Sequence, residues 1–530
     1  MPIRTDPWLA LANSSISRRN LLKSGAKLTA ALALGGLPNL LHGASKRLSR
    51  LQADPFYLGI ASGDPTSDSV VLWTRLASEV MIAANAALDA VDVDYEIADS
   101  RAFSTILRRG SIAATPELGH SAHAEVRGLD PDTEYFYRWH IGGITSSVGR
   151  TKTAPAANAS NQEFRFAIAS CQQYEHGFFT AYDHMAAEEF DLITHLGDYI
   201  YESSWGKVRV RAHEGPEIIN LSDYRARYTT YKSDPDLQAA HASAPWAVTW
   251  DDHEVDNNYA ADIGEDEQTT EQLLMRRAAA YQAFYEFMPI RLPIGRQGPS
   301  MPIYRRLRFG NLLEMNVLDT RQYRSDQACG DGRKPSCMAH QDRSRTLLGT
   351  AQKKWLKDSL ATTDATWNVL AQQVMMASLR SLNESGEELW PMDIWDGYPY
   401  ERQELLEHLD QVKTPNPVVI TGDIHSNWAA DLKLDFDKQS SKTVGSEFVG
   451  TSITSGGDGA DMTDYGRALL ANNPHVKFYN AQRGYIAATV TPTLWRSDYK
   501  VLPKITEAGA PISIRKTYVV EAGKPGVQEA

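Results

Sequence analysis

Four short apolar runs in this chain break off, each within two residues, into groups suited to bind a metal ion. Phe164–Ala169 is followed by Ser170-Cys171, Leu192–Leu196 by Gly197-Asp198, residues 247–250 by Asp251-Asp252-His253-Glu254, and residues 418–421 by Gly422-Asp423-Ile424-His425. Runs of this length and apolarity read as buried strands, whose parallel or antiparallel pairing periodicity alone does not separate. With further β runs at 312–318 and Trp367–Ala371, and helical patterns at 181–189, 271–286 and 350–360, they predict an α/β body. In open α/β sheets ligands bind beyond the carboxyl ends of the strands, so a carboxylate just past a buried run points into a crevice. Gly197 permits the sharp turn that delivers Asp198 there, and Tyr201 follows three residues on.

A chain of 530 residues is too long for one small core, and its ordinary share of 42% hydrophobic and 23% charged residues describes folded protein throughout. The formal charge of -12 argues against a nucleic-acid-binding surface and is compatible with cation binding. Residues 54–153 form a first module of period-two β runs at 69–74, 91–97 and 123–126. Gly128-Leu129-Asp130-Pro131, leading into Tyr135, resembles the corner of an all-β fibronectin- or Ig-like sandwich, here an accessory domain. Residues 154–162 are small, polar and Pro-containing, a linker to a catalytic domain at 163–530.

The first 53 residues read as a targeting region. Ser17-Arg18-Arg19-Asn20-Leu21-Leu22-Lys23 precedes a modest apolar stretch interrupted by Gly35, Gly36 and Pro38, too weak for a membrane span. The twin arginine resembles a Tat signal, which implies export of the folded protein through the Tat machinery to the periplasm or beyond, with no stable span after cleavage near Ala44 or Ala53. Of three cysteines, Cys329 and Cys337 enclose a polar loop that a disulfide can close in an oxidising compartment, and Cys171 is left over.

Thiolate and phenolate donors stabilise oxidised iron, whereas carboxylate and amide oxygens suit hard divalent ions. The strand ends supply both kinds, and Asp198 is placed to bridge two ions, the arrangement that holds attacking and leaving oxygens of a phosphoryl displacement.

These residues also carry a family resemblance. Gly197-Asp198-x-x-Tyr201 is similar to an element of purple acid phosphatases; Asp251-Asp252-His253-Glu254 stands where metallophosphoesterases have Gly-Asn-His-Glu, and Gly422-Asp423-Ile424-His425 where they have Gly-His-x-His. Ser170-Cys171-Gln172 replaces the usual Asp-x-His, and Asp423 replaces a His. With the twin arginine and the sandwich ahead of it, the pattern resembles PhoD-type alkaline phosphatases and phosphodiesterases along almost the whole chain. The resemblance implies a metallophosphoesterase-like two-sheet sandwich flanked by helices. It implies Cys171, Asp198, Tyr201 and His425 on Fe3+, and Asp198, Asp252 and Asp423 on a divalent ion, expected to be Ca2+. Asn258 would complete a second divalent site, and Gln372, at the end of the 367–371 strand, is a weaker candidate ligand. His253 would face the phosphate without binding metal, stabilising the transition state or protonating the leaving group. Arg321, past the 312–318 run, has the fork geometry to pair with phosphate oxygens; the alternative is a salt bridge to a neighbouring carboxylate.

The expected activity is hydrolysis of phosphate esters by a metal-activated water or oxide, as an alkaline phosphomonoesterase with phosphodiesterase activity serving phosphate acquisition. Three alternatives compete: a diesterase acting on phospholipid or teichoic-acid-like polymers; a thiol hydrolase with Cys171 as nucleophile; and a non-catalytic binding protein with a calcium turn at Ser455-Gly456-Gly457-Asp458-Gly459.

Overall fold

In the computed structural model, which describes residues 46–206, 209–265, 268–291 and 298–530, the apolar runs form neighbouring parallel strands in two sheets. Phe164–Ala169, Leu192–Leu196 and Pro245–Thr249 lie side by side in a ten-stranded sheet. Leu313–Val317, Trp367–Ala371, Pro417–Thr421 and Thr443–Val449 do so in a seven-stranded one. Alternation along each strand divides the core. Leu192 and Leu196 meet Phe166, Met315, Val369 and Ile420 between the sheets, while Ile193 faces the opposite way into a cluster with Tyr182, Tyr228 and Phe284.

Helices cover both outer faces. Leu221–Lys232, Pro235–Ser243 and Thr270–Phe287 pack on the ten-stranded sheet, and Gly349–Thr362 and Pro399–Val412 on the seven-stranded one. The architecture is therefore a two-sheet sandwich between helical layers. Thr270–Phe287 starts where the Thr269/Gln272 capping box satisfies its first free N–H groups. The helix expected at 181–189 is shorter, Thr180–Ala186, and Glu188 lies beyond its end, where it meets Lys500 at 2.7 Å.

The N-terminal strands form two layers over one apolar cluster that includes Leu72, Val93, Ile97, Tyr137 and Trp139. In the Gly128–Tyr135 segment, Asp130 N donates to Tyr135 Oη at 2.8 Å. One layer, Val91–Ala98 with Ile106–Ala114 and Glu134–Ile141, is a separate sheet. The other, Ile60–Gly63, Ser69–Arg75 and Ser121–Arg127, continues the ten-stranded sheet through a parallel pairing of Ile60–Gly63 with Pro245–Thr249. Period-two patterning marks a strand but not its partner, so the sequence did not disclose this edge-to-edge join. Residues Arg47–Ala530 form one compact unit. Cys329 and Cys337 are disulfide-bonded with Cα atoms 5.9 Å apart, and Cys171 is free and buried. No helix among the described residues is long and apolar enough to cross a membrane; the twin-arginine segment lies outside them.

Asp64 fastens the join. Its buried carboxylate accepts from Arg305 Nε and Nη2 at 3.0 and 2.7 Å and from Arg291 N at 2.8 Å. Asp64→Ala leaves the Arg305 charge without its partner and is expected to destabilise the protein by about 3–5 kcal/mol in urea denaturation. A loss below about 1 kcal/mol would show that the join does not depend on this pair.

Candidate metal centre

Five of the seven residues expected to bind metal have left-handed backbone: Cys171 (φ 59°), Asp198 (φ 56°), Asn258 (φ 50°), Asp423 (φ 64°) and His425 (φ 52°). Non-glycine residues pay steric strain there, and such conformations persist where surrounding structure over-determines them. At Cys171, Asp198, Asp423 and His425 the turn comes within four residues of a strand end and brings the side chain into one donor cluster, whereas Asn258 lies farther along its loop. Gly197 (φ 106°) makes the turns compatible, since a Cβ on it would lie 2.4 Å from Asp251 Cβ and 2.6 Å from Asp251 N.

The donors converge. Cys171, Asp198 and His425 offer ligand atoms all within 4.8 Å of one another, as do Asp198, Asp252 and His253, and Asp251, Asp252 and Asp423. Asp198 belongs to the first two groups and Asp252 to the last two. Tyr201 Oη donates to Asp198 Oδ2 at 2.8 Å and lies 3.2 Å from His425 Nε2. Asn258 touches the cluster through its backbone N–H, which donates to Asp252 Oδ2 at 2.8 Å.

Electrostatics shows what this cluster lacks. Burial, with Asp252, Asp251 and Glu254 nearby, pushes the Asp198 carboxyl well up against the opposing charge of His253. Burial and the Asp198 charge do the same to the Cys171 thiol and the Tyr201 phenol, and burial with Asp251 to Asp423. Asp252 is the exception, held low because Arg321 and His253 together outweigh its burial. Asp198 Oδ1 and Asp251 Oδ2 are buried with no hydrogen-bond partner among the described residues. Buried anionic donors with unmatched lone pairs are what a bound cation satisfies, so the residues present fit a metal centre.

Residues to which the sequence reading gave no part in this centre support the cluster. Glu254 accepts from Asp251 N at 2.7 Å, Asp198 N at 3.1 Å and Tyr199 N, tying two strand ends together. Glu202 accepts from His253 Nδ1 at 2.7 Å; although burial opposes it, the carboxylates of Glu202, Asp198 and Asp252 together keep the imidazole charged. Ser455 Oγ lies 2.6 Å from Tyr201 Oη and 2.8 Å from Cys171 O. An acid placed immediately after Tyr201 and another ending Asp-Asp-His-Glu were the available signals.

Arg321 departs from its expected role. It is fully buried, its Nε on Asp251 (2.5 Å), Nη1 on Asp393 (2.8 Å) and Nη2 on Asp423 (3.2 Å), with Asp252 at 3.6 Å. Its nitrogens are spent on carboxylates rather than presented to a phosphate. Gln372 is likewise engaged, its amide oxygen accepting from Trp395 Nε1 at 2.9 Å. Asp458 accepts from Ile505 N and from Thr506 N and Oγ, which explains the turn without calcium. Burial first, and then the neighbouring carboxylates, disfavour the Cys171 thiolate, contrary to what a nucleophilic cysteine needs.

Carboxylates, an imidazole, a thiol and a phenol at the carboxyl ends of two facing sheets are the layout of a metallophosphoesterase. The chain belongs to the PhoD-like phosphatase family: that family's model matches residues 166–499, and the PhoD-like phosphatase N-terminal domain model matches residues 43–155. It is a phosphoric ester hydrolase. Among curated proteins it is similar to alkaline phosphatase D of Bacillus subtilis (strain 168), 47% identical over 539 residues that cover 99% of this chain and 92% of that protein. The solved structure of PhoD superposes with a TM-score of 0.87 at 48% identity, covering 93% of each chain. A purple acid phosphatase from yellow lupin seeds shares the fold, with a TM-score of 0.55 at 12% identity over 87% of this chain and 73% of that one.

Arg321→Met is expected to cost about 3–5 kcal/mol of stability in urea denaturation, because four carboxylates lose their shared counter-charge. A phosphate-binding arginine would behave differently: KM would rise while stability stayed unchanged.

Proposed function

We propose that the chain is an exported alkaline phosphomonoesterase, with phosphodiesterase activity, working at a mixed metal centre. Cys171, Asp198, Tyr201 and His425 would hold Fe3+, while Asp198, Asp252 and Asp423 would hold Ca2+ beside it, with Asn258 serving a second divalent ion. The observation that carries this reading is the position of Asp198, shared by two donor groups and with one oxygen left unpartnered in the interior. When bound, such ions neutralise charge on the phosphoryl oxygens and lower the pKa of water.

The chain's own groups supply the rest. His253 is fixed by Glu202 at Nδ1 and kept protonated, leaving Nε2–H to donate toward the phosphoryl or leaving-group oxygen. Tyr201 packs against this ring, centroids 4.1 Å apart, and limits its rotation. Arg321 holds Asp251, Asp252 and Asp423 in place rather than touching substrate. The first 53 residues are read as a Tat signal region that directs export to the periplasm or beyond. Residues 54–153 are read as an accessory Ig-like sandwich joined through a linker at 154–162 to the catalytic domain.

Two measurements test this reading. Asp198→Asn is expected to lose bound iron and to lower phosphatase kcat/KM by on the order of a hundredfold or more. Retention of both iron and rate would remove Asp198 from the centre. His253→Ala is expected to lower kcat by about 10²–10⁴-fold on alkyl phosphates, whose alcohols leave poorly, and by much less on nitrophenyl phosphate. Equal losses on both substrates would exclude His253 as the leaving-group acid.

A further inference from the structure

The Cys329–Cys337 loop, read from the sequence only as a closed turn, reaches Asn258 beside the candidate metal centre. Four consecutive residues in it are left-handed: Cys329 (φ 58°), Gly330 (φ 79°), Asp331 (φ 59°) and Gly332 (φ 68°). Two of them are not glycine, so the run is unfavourable unless held from outside. It is held at several points. The disulfide closes the loop, Gly332 O accepts from Met392 N at 2.9 Å, and Arg333 and Lys334 pair with Pro391 and Trp390.

So held, the segment lies against Asn258. Asp331 Oδ2 accepts from Asn258 Nδ2 at 2.8 Å, and Gln327 Nε2 donates both to Asn258 O and to Asp393 Oδ1, each at 2.7 Å. A carboxylate has no proton to offer, so it settles which end of the Asn258 amide faces it: the NH2 group turns to Asp331 and the amide oxygen turns away. Asp331 Oδ1 is buried with no partner among the described residues, so the carboxylate costs desolvation that only a definite contact offsets. The series Cys329–Cys337, Asp331, Asn258, Asp252 is therefore a continuous set of bonded contacts.

We propose that the disulfide-closed segment 327–337 is a clamp that orients the Asn258 amide oxygen as a cation ligand. Asp331 is its positioning residue, and divalent-ion affinity is coupled to closure of the Cys329–Cys337 bond. The inference rests on the reading of Asn258 as a ligand. Closure converts two thiols to one disulfide, releasing two protons and two electrons to an oxidised thiol partner by exchange. The site would accordingly reach full affinity in an oxidising compartment.

The test uses the full-length protein and calcium itself as probe, with affinity read by competition against a fluorescent chelator and iron content read on the same samples. Asp331→Ala and the double variant Cys329→Ser/Cys337→Ser are each expected to weaken calcium binding about tenfold, as loss of an outer partner of a ligand does, with iron content unchanged. Asp331→Asn, whose amide oxygen still accepts from Asn258, is expected to retain most of the affinity. That rescue separates positioning from general damage, and unchanged iron with a normal circular dichroism spectrum guards against misfolding. Unaltered calcium affinity in both the Asp331→Ala and the double-serine variants, alongside weakened binding in Asn258→Ala, would overturn the clamp and leave the ligand assignment standing. Unaltered binding in Asn258→Ala would overturn the ligand assignment and the clamp with it.

Discussion

One buried guanidinium joins the two halves of the sandwich at the end where chemistry takes place. Arg321 follows the strand Leu313–Val317 of the seven-stranded sheet, yet it binds Asp251 beyond Pro245–Thr249 of the ten-stranded sheet. It also binds Asp423 of its own sheet and Asp393 from the 383–400 region. Removing a charge from water costs several kcal/mol, and such a group is tolerated only where partners surround it. Four carboxylates meet that need and still leave an excess of negative charge. Fold and function are linked here, because the ion pairs that fasten the sheets also crowd together the acids that call for metal ions.

Backbone geometry does the complementary work. Strand ends approach closely only if the chain turns sharply out of each strand, and Cys171, Asp198, Asp423 and His425 turn through left-handed conformations. Glu254 compensates by gathering the N–H groups of Asp198, Tyr199 and Asp251 into one buried carboxylate. Burial drives this carboxyl up to about 8 despite those three N–H groups, a sign of how much desolvation the arrangement absorbs. Burial and like-charge repulsion meet in the few residues where a bound cation would offset them, and Cys171, Asp198, Asp423 and His425 carry left-handed backbone as well.

Much of this was legible in the sequence because it is local. An apolar run ending in Gly-Asp reveals a strand and a carboxylate at its tip, and the strands at Phe164–Ala169, Leu192–Leu196 and Trp367–Ala371 lie where periodicity put them. What was not legible depends on contacts distant in sequence. The partners that Arg321 takes, Asp251, Asp393 and Asp423, lie 70, 72 and 102 residues away. Pairing of Ile60–Gly63 with Pro245–Thr249 is similarly remote, and the antiparallel strands Arg483–Val490, Leu494–Leu502 and Ser513–Glu521 carried no motif to single them out. Tyr199, unexplained beside Asp198, proves to be an interior anchor, its hydroxyl 2.8 Å from His241 Nε2 in the core behind the site.

The central claim is that Asp198 bridges two different ions, and element-resolved anomalous diffraction from crystals of the metal-loaded protein tests it most directly. The account predicts iron bonded to Cys171 Sγ and Tyr201 Oη, a neighbouring divalent ion bonded to Asp252 and Asp423, and an Asp198 oxygen on each. An Asp198 carboxylate touching a single ion, or no iron beside Cys171 and Tyr201, would contradict it.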